Sequence, residues 1–154
     1  MGTKSFHAPH TSGESPSQHW HDESAWTVSK MADIAVAYIG LVAADIVLRC
    51  AGFHLFHRAV RRCPTRSLKA LESAAVRTVC SAVDAAALYY FKEVLCLQKS
   101  AVIACLLRMR GVSAQLVIGC RRVPFLAHAW VEVRGETVYG EEPIEGTLCV
   151  LERC

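Results

Sequence analysis

The sequence lacks a large surplus of charge of either sign. Its 154 residues contain 17 lysines and arginines against 14 aspartates and glutamates, which gives a net charge of +3. Such a small surplus does not form the basic surface of a protein whose affinity comes from phosphate contacts, so nucleic acid is not an expected partner. Hydrophobic residues make up 53% of the chain, which excludes disorder throughout and predicts one folded domain.

The sequence also lacks an uninterrupted apolar run of the roughly 18 residues that would indicate a membrane span. The longest run, Ile34–Leu48, has 15 residues and contains Asp45. No secretory signal is predicted, because residues 1–30 have no basic start followed by an apolar stretch. We therefore expect a cytosolic protein in which Ile34–Leu48 is buried, docked on a partner or in contact with a membrane surface.

No two of the eight cysteines have the CxxC spacing that is typical of zinc sites and redox motifs. Most of them lie in apolar stretches, where a reduced cysteine acts as a small hydrophobic side chain. Four side chains have a spacing that permits a metal site on a helix, namely Cys50, His54, His57 and Cys63. The arginines around them favour a cationic helix end facing water instead. We expect neither a disulfide framework nor a metal or other cofactor.

The first 30 residues differ in composition from the rest. Residues 1–30 hold four of the seven histidines and show neither a helical nor a strand period, which predicts a disordered tail. Met31 opens the first periodic segment, so translation starts at Met1 or at Met31. The remaining chain is expected to form a helical part, residues 31–93, and a mixed part, residues 94–154.

Helical periodicity comes first along the chain and strand periodicity comes second. Helices are predicted over 32–63, where Gly40 and Gly52 are points of possible breakage, and over 67–90 and 96–110. Strands are predicted over 115–120, 127–133, 136–139 and 148–152, with Arg134-Gly135 as a tight hairpin turn. The fold class is therefore α+β, with N-terminal helices packed on a small antiparallel sheet.

Cys96 is the one cysteine at a predicted helix start, where backbone N–H groups and the helix dipole favour the nucleophilic thiolate. A thiolate nucleophile needs a histidine that takes and returns a proton. His128 is the histidine that remains when the tail and the basic helix end are set aside. Each residue also has a structural interpretation, as a buried cysteine and as a core histidine bonded to a carbonyl.

A catalytic histidine also needs an acceptor that fixes its tautomer. With Arg134 and Gly135 as the turn residues, regular pairing puts Trp130 opposite Tyr139 and Glu141 opposite His128. A bulge in the hairpin would bring Gly140 or Glu142 there instead. Cys96, His128 and Glu141 are therefore the candidate nucleophile, base and orienting acid of a thiol hydrolase or acyl transferase.

The stretch VLCLQKSAVIACLLRMRGVSAQLVIGCRRVPFLAHAWVEVRGETVYGE, followed by the final VLERC, resembles the lasso-peptide leader peptidases of the transglutaminase-like superfamily. The resemblance covers Val94–Cys154 well and the preceding helices loosely. It implies a transglutaminase-like, papain-like catalytic core in residues 94–154, with Cys96 as nucleophile and His128 as base. The acid of the family is an Asp at about the position of Gly140, so here Glu141 substitutes for it or a dyad operates.

The resemblance also implies partners. Such a peptidase acts on the precursor peptide together with a separate leader-recognition protein and an ATP-dependent lasso-cyclising synthetase. No segment resembles the recognition module, so the chain is similar to the split form, and Ile34–Leu48 is a candidate docking surface. The expected function is a cysteine endopeptidase that removes the leader. The alternatives are a non-catalytic scaffold and an acyl transferase of the same fold.

Overall fold

The structure is a computed structural model that describes residues 17–64, 72–121, 125–140 and 148–154, with side chains from residue 27 onward and without that of Glu72. Within these ranges the helices come before the strands. The helices are α1 (Ser17–Arg62), α2 (Glu72–Leu88) and α3 (Cys96–Met109). The strands are β1 (Ala114–Arg121), β2 (Leu126–Val133), β3 (Glu136–Tyr139) and β4 (Cys149–Arg153), which form one antiparallel sheet in the order β3-β2-β1-β4. The predicted α+β class is confirmed.

Helix α3 lies at the centre of the fold and packs against α1, α2, β1 and β2. Its apolar side chains are among the most deeply buried of the described residues, because neighbours cover it on several sides. The core that surrounds it includes Ala37, Leu41, Val83, Ile103, Leu107, Leu116 and Val131. The sheet face that carries Ala129, Val131 and Val133 belongs to this core, whereas His128 and Trp130 alternate with these residues.

The predicted disordered tail is wrong for residues 17–30, because α1 begins at Ser17. The described side chains of this part, residues 27–30, are exposed, and Val28 is 68% exposed. The sequence of residues 17–30 shows no apolar period, so the pattern gave no sign of a helix there. Residues 1–16 lie outside the described part of the chain.

The two glycines of α1 have different roles. The helix continues through Gly40, where a Cβ would lie 2.9 Å from Val102 Cγ1, so this glycine permits a close approach of α1 and α3. At Gly52 the backbone has φ 74° and ψ 174°, which kinks the helix. Only the second of the two predicted breaks is therefore present. Beyond the kink, Phe56 and Val60 are buried in the core.

Helix α1 is apolar on the face that points away from the domain as well as on the face that packs in the core. Its segment Thr27–Arg62 has a window of mean hydropathy 2.0, which by length and composition is enough to cross a membrane, and 22% of that window is buried. The unbroken apolar run Ile34–Leu48 is too short for a span by itself, and the longer window qualifies because it tolerates charged residues. Exposed apolar side chains on α1 include Val36, Ile39, Ile46 and Phe53.

The hairpin between β2 and β3 has the predicted turn but a different register. Arg134 and Gly135 have φ values of 55° and 86°, as a two-residue type I′ turn requires. A bulge then shifts the pairing, so that Tyr139 lies opposite Val131 and not opposite Trp130. The regular register expected from the sequence is therefore wrong and a bulge is present, while the pairing opposite His128 lies outside the described register.

Candidate functional site

Cys96 is the first residue of α3, as predicted, and it is exposed. Leu95 precedes the helix in an extended conformation and has no side-chain acceptor with which to cap it. Its N–H donates instead to Oε1 of Gln98, at 3.1 Å, which is the second half of a capping box. The N–H groups of Cys96 and Leu97 belong to the first turn, which has no intrahelical acceptors, so they are available to an anion.

His128 lies on β2 between an indole ring and a glycine. Its imidazole stacks on Trp130, with ring centroids 6.2 Å apart and planes 16° apart. The ring nitrogen Nε2 is buried and has no hydrogen-bond partner among the described residues. A Cβ placed on Gly140 would lie 3.5 Å from this nitrogen, so the backbone of Gly140 lies close to it. Trp130 and Gly140 therefore confine the imidazole, while its Nε2 has no acceptor among the described residues.

Ser100 connects the helix of Cys96 to the strand of His128. Its fully buried Oγ donates a hydrogen bond of 2.9 Å to the carbonyl of Ala129, the residue after His128. Cys96 lies one turn before Ser100, and residues four apart share a helix face. The two candidate residues thus occupy adjacent, packed elements. No hydrogen bond joins their side chains among the described contacts.

Trp130 is itself fixed by a buried polar pair. Its Nε1–H donates to Oε1 of Glu132 at 2.9 Å, and the other oxygen of Glu132 pairs with Arg153 of β4. Gly119 on β1 leaves room for the ring, because a Cβ there would lie 3.0 Å from the indole. Glu132 and Trp130 are 6% and 2% exposed, so this arrangement is part of the interior. It limits where the imidazole of His128 can move.

Asp45 of α1 reaches the start of α3. It is 7% exposed and accepts hydrogen bonds from Lys92 and, at 3.0 Å, from Nε2 of Gln98. Arg49 Nε lies 3.2 Å from its second oxygen. The hydrogen bond from Lys92, followed by the positive charges of Arg49 and Lys92 and the hydrogen bond from Gln98, lowers the pKa of Asp45 against the opposing effect of burial.

Sequence reasoning missed the contacts of Asp45 and Glu132. It treated Asp45 as an interruption of an apolar run and Glu132 as a neighbour of His128 on one strand face. The periodicity of the helix and of the strand places these two acids on buried faces. Because buried carboxylates need partners, this position could have indicated that each acid is paired.

The remaining cysteines are less suited to nucleophilic chemistry. Burial, assisted by Asp84, raises the pKa of Cys80 to about 11, and burial also raises the pKa of Cys105 and Cys154. Cys50 and Cys149 are exposed but do not begin a helix. Cys96 is the one described cysteine that combines exposure with a helix start.

The alternative metal site on α1 does not assemble. His57 lies 3.1 Å from Oε1 of Glu152, and the Sγ atom of Cys63 lies 2.7 Å from that of Cys105. Among the described residues, no three His, Cys, Asp or Glu side chains are grouped so that they could hold a metal ion.

Glu141, the predicted orienting acid, lies outside the described residues. The bulge places Tyr139 opposite Val131, so the next residue, Gly140, reaches Trp130, whose Cβ would be 2.9 Å from a Cβ at this position. Gly140 has a φ of 95°, which favours glycine, so the backbone at this position is poorly suited to the Asp found in the resembling family.

Comparison with known proteins gives two matches. Residues 38–148, well over half of the chain, match the model of a family described as the transglutaminase-like superfamily. A stretch of 56 residues is 38% identical to the microcin J25-processing protein McjB of Escherichia coli. This stretch covers 36% of the present chain and 27% of that protein, so the chain spans about a quarter of the relative's length. No solved structure matches.

Proposed function

Because the chain belongs to the transglutaminase-like superfamily, we propose that it is a cysteine endopeptidase that removes the leader from a lasso-peptide precursor. The observation that carries the proposal is Cys96 at the start of α3, a helix that the hydrogen bond from Ser100 to Ala129 joins to β2, the strand of His128. The matched family region contains both residues. The similarity to a microcin-processing protein supports a peptide precursor as the substrate.

In the proposed reaction, Sγ of Cys96 attacks the carbonyl carbon of the amide bond between leader and core. His128 takes the thiol proton and gives it to the leaving amine of the core, while the leader remains bound as a thioester. Water then adds to the thioester, and His128 takes its proton and returns it to the departing thiolate. The N–H of Cys96 is a donor to the oxyanion.

The role of Glu141 belongs to this proposal. An acceptor on Nε2 of His128 would fix the tautomer in which the other ring nitrogen faces the thiol. Nε2 of His128 has no hydrogen-bond partner among the described residues, and the backbone of Gly140 lies close to this nitrogen. Glu141 is the acid that directly follows Gly140 in the sequence. If Glu141 supplies no hydrogen bond, the stacked indole of Trp130 is left to orient the ring, and the enzyme operates as a dyad.

The proposed partners are the precursor peptide, a separate leader-recognition protein and an ATP-dependent lasso-cyclising synthetase, and the proposed location is the cytoplasm. The exposed apolar face of α1 is the proposed docking surface for the recognition protein. Contact of the same face with a membrane surface is the competing proposal, and it is supported by the hydropathy of Thr27–Arg62.

Two other functions are compatible with the family. The lack of an Asp at Gly140 favours a non-catalytic scaffold that presents the precursor to a synthetase. An acyl transferase would use the same thioester but pass the acyl group to an amine in place of water. The fate of the thioester therefore separates hydrolysis from transfer.

The test is cleavage of the precursor by the full chain with its recognition protein in water labelled with oxygen-18. Hydrolysis places one labelled oxygen in the new carboxylate of the leader, whereas amide transfer places none. Cys96→Ala and His128→Ala are expected to abolish cleavage, and Cys50→Ala is the matched control because Cys50 is exposed and lies on another helix. Cleavage by Cys96→Ala would overturn the proposal, and binding without cleavage by the unaltered chain would favour the scaffold.

A further inference from the structure

We propose that Asp45 and Gln98 are positioning residues that hold the first turn of α3, and with it Cys96, in the geometry that the nucleophile needs. The contacts form a continuous chain from one helix to the other. Oδ1 of Asp45 accepts from Nε2 of Gln98 at 3.0 Å, and Oε1 of Gln98 accepts from the N–H of Leu95 at 3.1 Å. Leu95 immediately precedes Cys96. We call this chain of hydrogen bonds, from Asp45 through Gln98 to Leu95, the relay. Its catalytic consequence rests on the proposed function.

The oxygen and the nitrogen of the Gln98 amide each form a hydrogen bond inside the protein. Gln98 is 3% exposed, so water cannot easily replace either partner. Its side-chain oxygen can only accept and its nitrogen can only donate, which fixes the orientation of the amide. Asp45 sets that orientation, since a carboxylate only accepts, and Lys92 and Arg49 keep it charged.

The relay acts on the turn that contains Cys96. The carbonyl of Leu95 accepts hydrogen bonds from the N–H groups of Gln98 and Lys99, at 3.0 and 3.2 Å, while its own N–H is held by the Gln98 side chain. Leu95 is thus held on both its N–H and its C=O. Without the side-chain bond the turn is expected to fray, and the N–H groups of Cys96 and Leu97 would lose their fixed direction.

The other end of α3 supplies a matched comparison. Asp33 of α1 pairs there with Arg110, so α1 contacts both ends of α3 through a carboxylate. Arg110 follows the last residue of α3, whereas Gln98 lies in its first turn. A loss of either contact weakens the packing of α1 on α3, but only a loss at the first turn is expected to change Cys96.

The experiment measures the rate at which iodoacetamide alkylates Cys96 in the folded full chain at neutral pH, together with the free energy of unfolding in urea. Gln98→Met removes both hydrogen bonds but preserves the length of the side chain. It is expected to lower the alkylation rate of Cys96 about threefold, as loss of an oriented helix terminus would. Asp33→Asn is expected to leave that rate unchanged while also lowering stability.

A rescue separates positioning from mere packing. In the double variant Asp45→Asn/Gln98→Glu, the carboxylate and the amide exchange places, so both hydrogen bonds of the relay can form again. We expect it to restore the Cys96 alkylation rate. An unchanged rate in folded Gln98→Met, or an equal fall in Asp33→Asn, would overturn the relay. If the rates behave as expected but the precursor is not cut, the relay stands and the proposed function fails.

A separate observation concerns Cys63 at the end of α1 and Cys105 in α3. Their Sγ atoms lie 2.7 Å apart, and both residues line an apolar groove of about 250 Å³ between α1 and α3. The geometry points to a disulfide between them when the protein meets a low-molecular-weight disulfide. The thiolate of Cys63 attacks that reagent and releases one thiol, and Cys105 then loses its proton and displaces the second thiol from Cys63.

The test is oxidation of the folded chain with glutathione disulfide, followed by non-reducing peptide mapping. Peptides that contain Cys63 and Cys105 are expected to be joined with the loss of two hydrogens. The closed loop spans a sequence separation of 42, so the unfolding temperature should rise by roughly 10 °C and fall again with dithiothreitol. Cys63→Ser should abolish the shift and Cys50→Ser should not. Alkylation of both thiols after oxidation would overturn the inference.

Discussion

His128 is held between the indole of Trp130 and the backbone of Gly140, and the glycine is required there for two reasons. Its φ of 95° is strained for any side chain, and a Cβ would lie 2.9 Å from Trp130 Cβ. The same left-handed conformation occurs at Gly135, where nothing lies within 4 Å of an added Cβ. A side chain at Gly135 would therefore cause backbone strain alone, whereas one at Gly140 would cause both strain and a steric conflict.

Gly140→Ala is expected to lower the free energy of unfolding by about 2–4 kcal/mol, the sum of a left-handed backbone penalty and overpacking against Trp130. Gly135→Ala should cost only the first of these, about 1–2 kcal/mol. Urea denaturation of the two variants measures the difference. Equal losses would mean that Gly140 is not packed against Trp130.

The hydrogen bond from the indole of Trp130 to Glu132 is expected to contribute to the stability of the fold. Trp130→Phe keeps a ring beside His128 but removes the Nε1–H that Glu132 accepts. Glu132 then has one unsatisfied buried oxygen, which should cost about 1–3 kcal/mol of folding free energy. The measurement is thermal unfolding of Trp130→Phe beside the double variant Trp130→Phe/Glu132→Gln, which carries no charge at that position. If Trp130→Phe and the double variant unfold at the same temperature, the charge of Glu132 does not matter once the indole is removed. That result would argue against the contact between Trp130 and Glu132.

At the scale of elements, α1 depends on the backbone at Gly52. Its φ of 74° and ψ of 174° fall in a region that is essentially restricted to glycine. Gly52→Ala is therefore expected to cost about 1–3 kcal/mol even though nothing lies within 4 Å of an added Cβ. Circular dichroism during thermal unfolding would show the loss. An unchanged unfolding temperature would mean that the two halves of α1 can join without this kink.

The contact between α1 and the start of α3 is expected to depend on pH. The pKa of Asp45 is lowered in the folded protein, chiefly by Lys92, below its usual value of 3.8. Its carboxylate therefore stabilises the fold above that usual value, and the contribution is lost as the pH falls through the lowered pKa. Urea titrations from about pH 6 to about pH 3 should show a smaller acid loss in Asp45→Asn than in the unaltered chain. Identical slopes would contradict the pairing.

The elements that local rules define could be predicted from the sequence. The start of α3 at Cys96, the Gly111 that follows it with a φ of 89°, and the turn at Arg134-Gly135 all depend on nearby residues. The hairpin bulge could not, because the same two-residue turn is compatible with a regular and with a bulged register. Nor could residues 17–30 of α1, whose sequence shows no apolar period.

At the scale of the whole molecule, the site is assembled by contacts between residues that are distant in sequence. Asp45 and Gln98 are separated by 53 positions, and Glu132 and Arg153 by 21. No spacing rule for a single helix or strand connects such pairs, which is why the sequence indicated Cys96 and His128 but not the residues around them. The position of Glu141 stays a prediction.

Cys96 and His128 are proposed to act as a thiol–imidazole pair, and one measurement tests this pairing without any substrate. The folded chain is treated with a limiting amount of iodoacetamide at several pH values, and the alkylated cysteines are mapped by mass spectrometry. We expect Cys96 to react before Cys50 and Cys149, which are also exposed, and His128→Ala to remove this preference. Equal reactivity of the three, or a preference unaffected by His128→Ala, would contradict it.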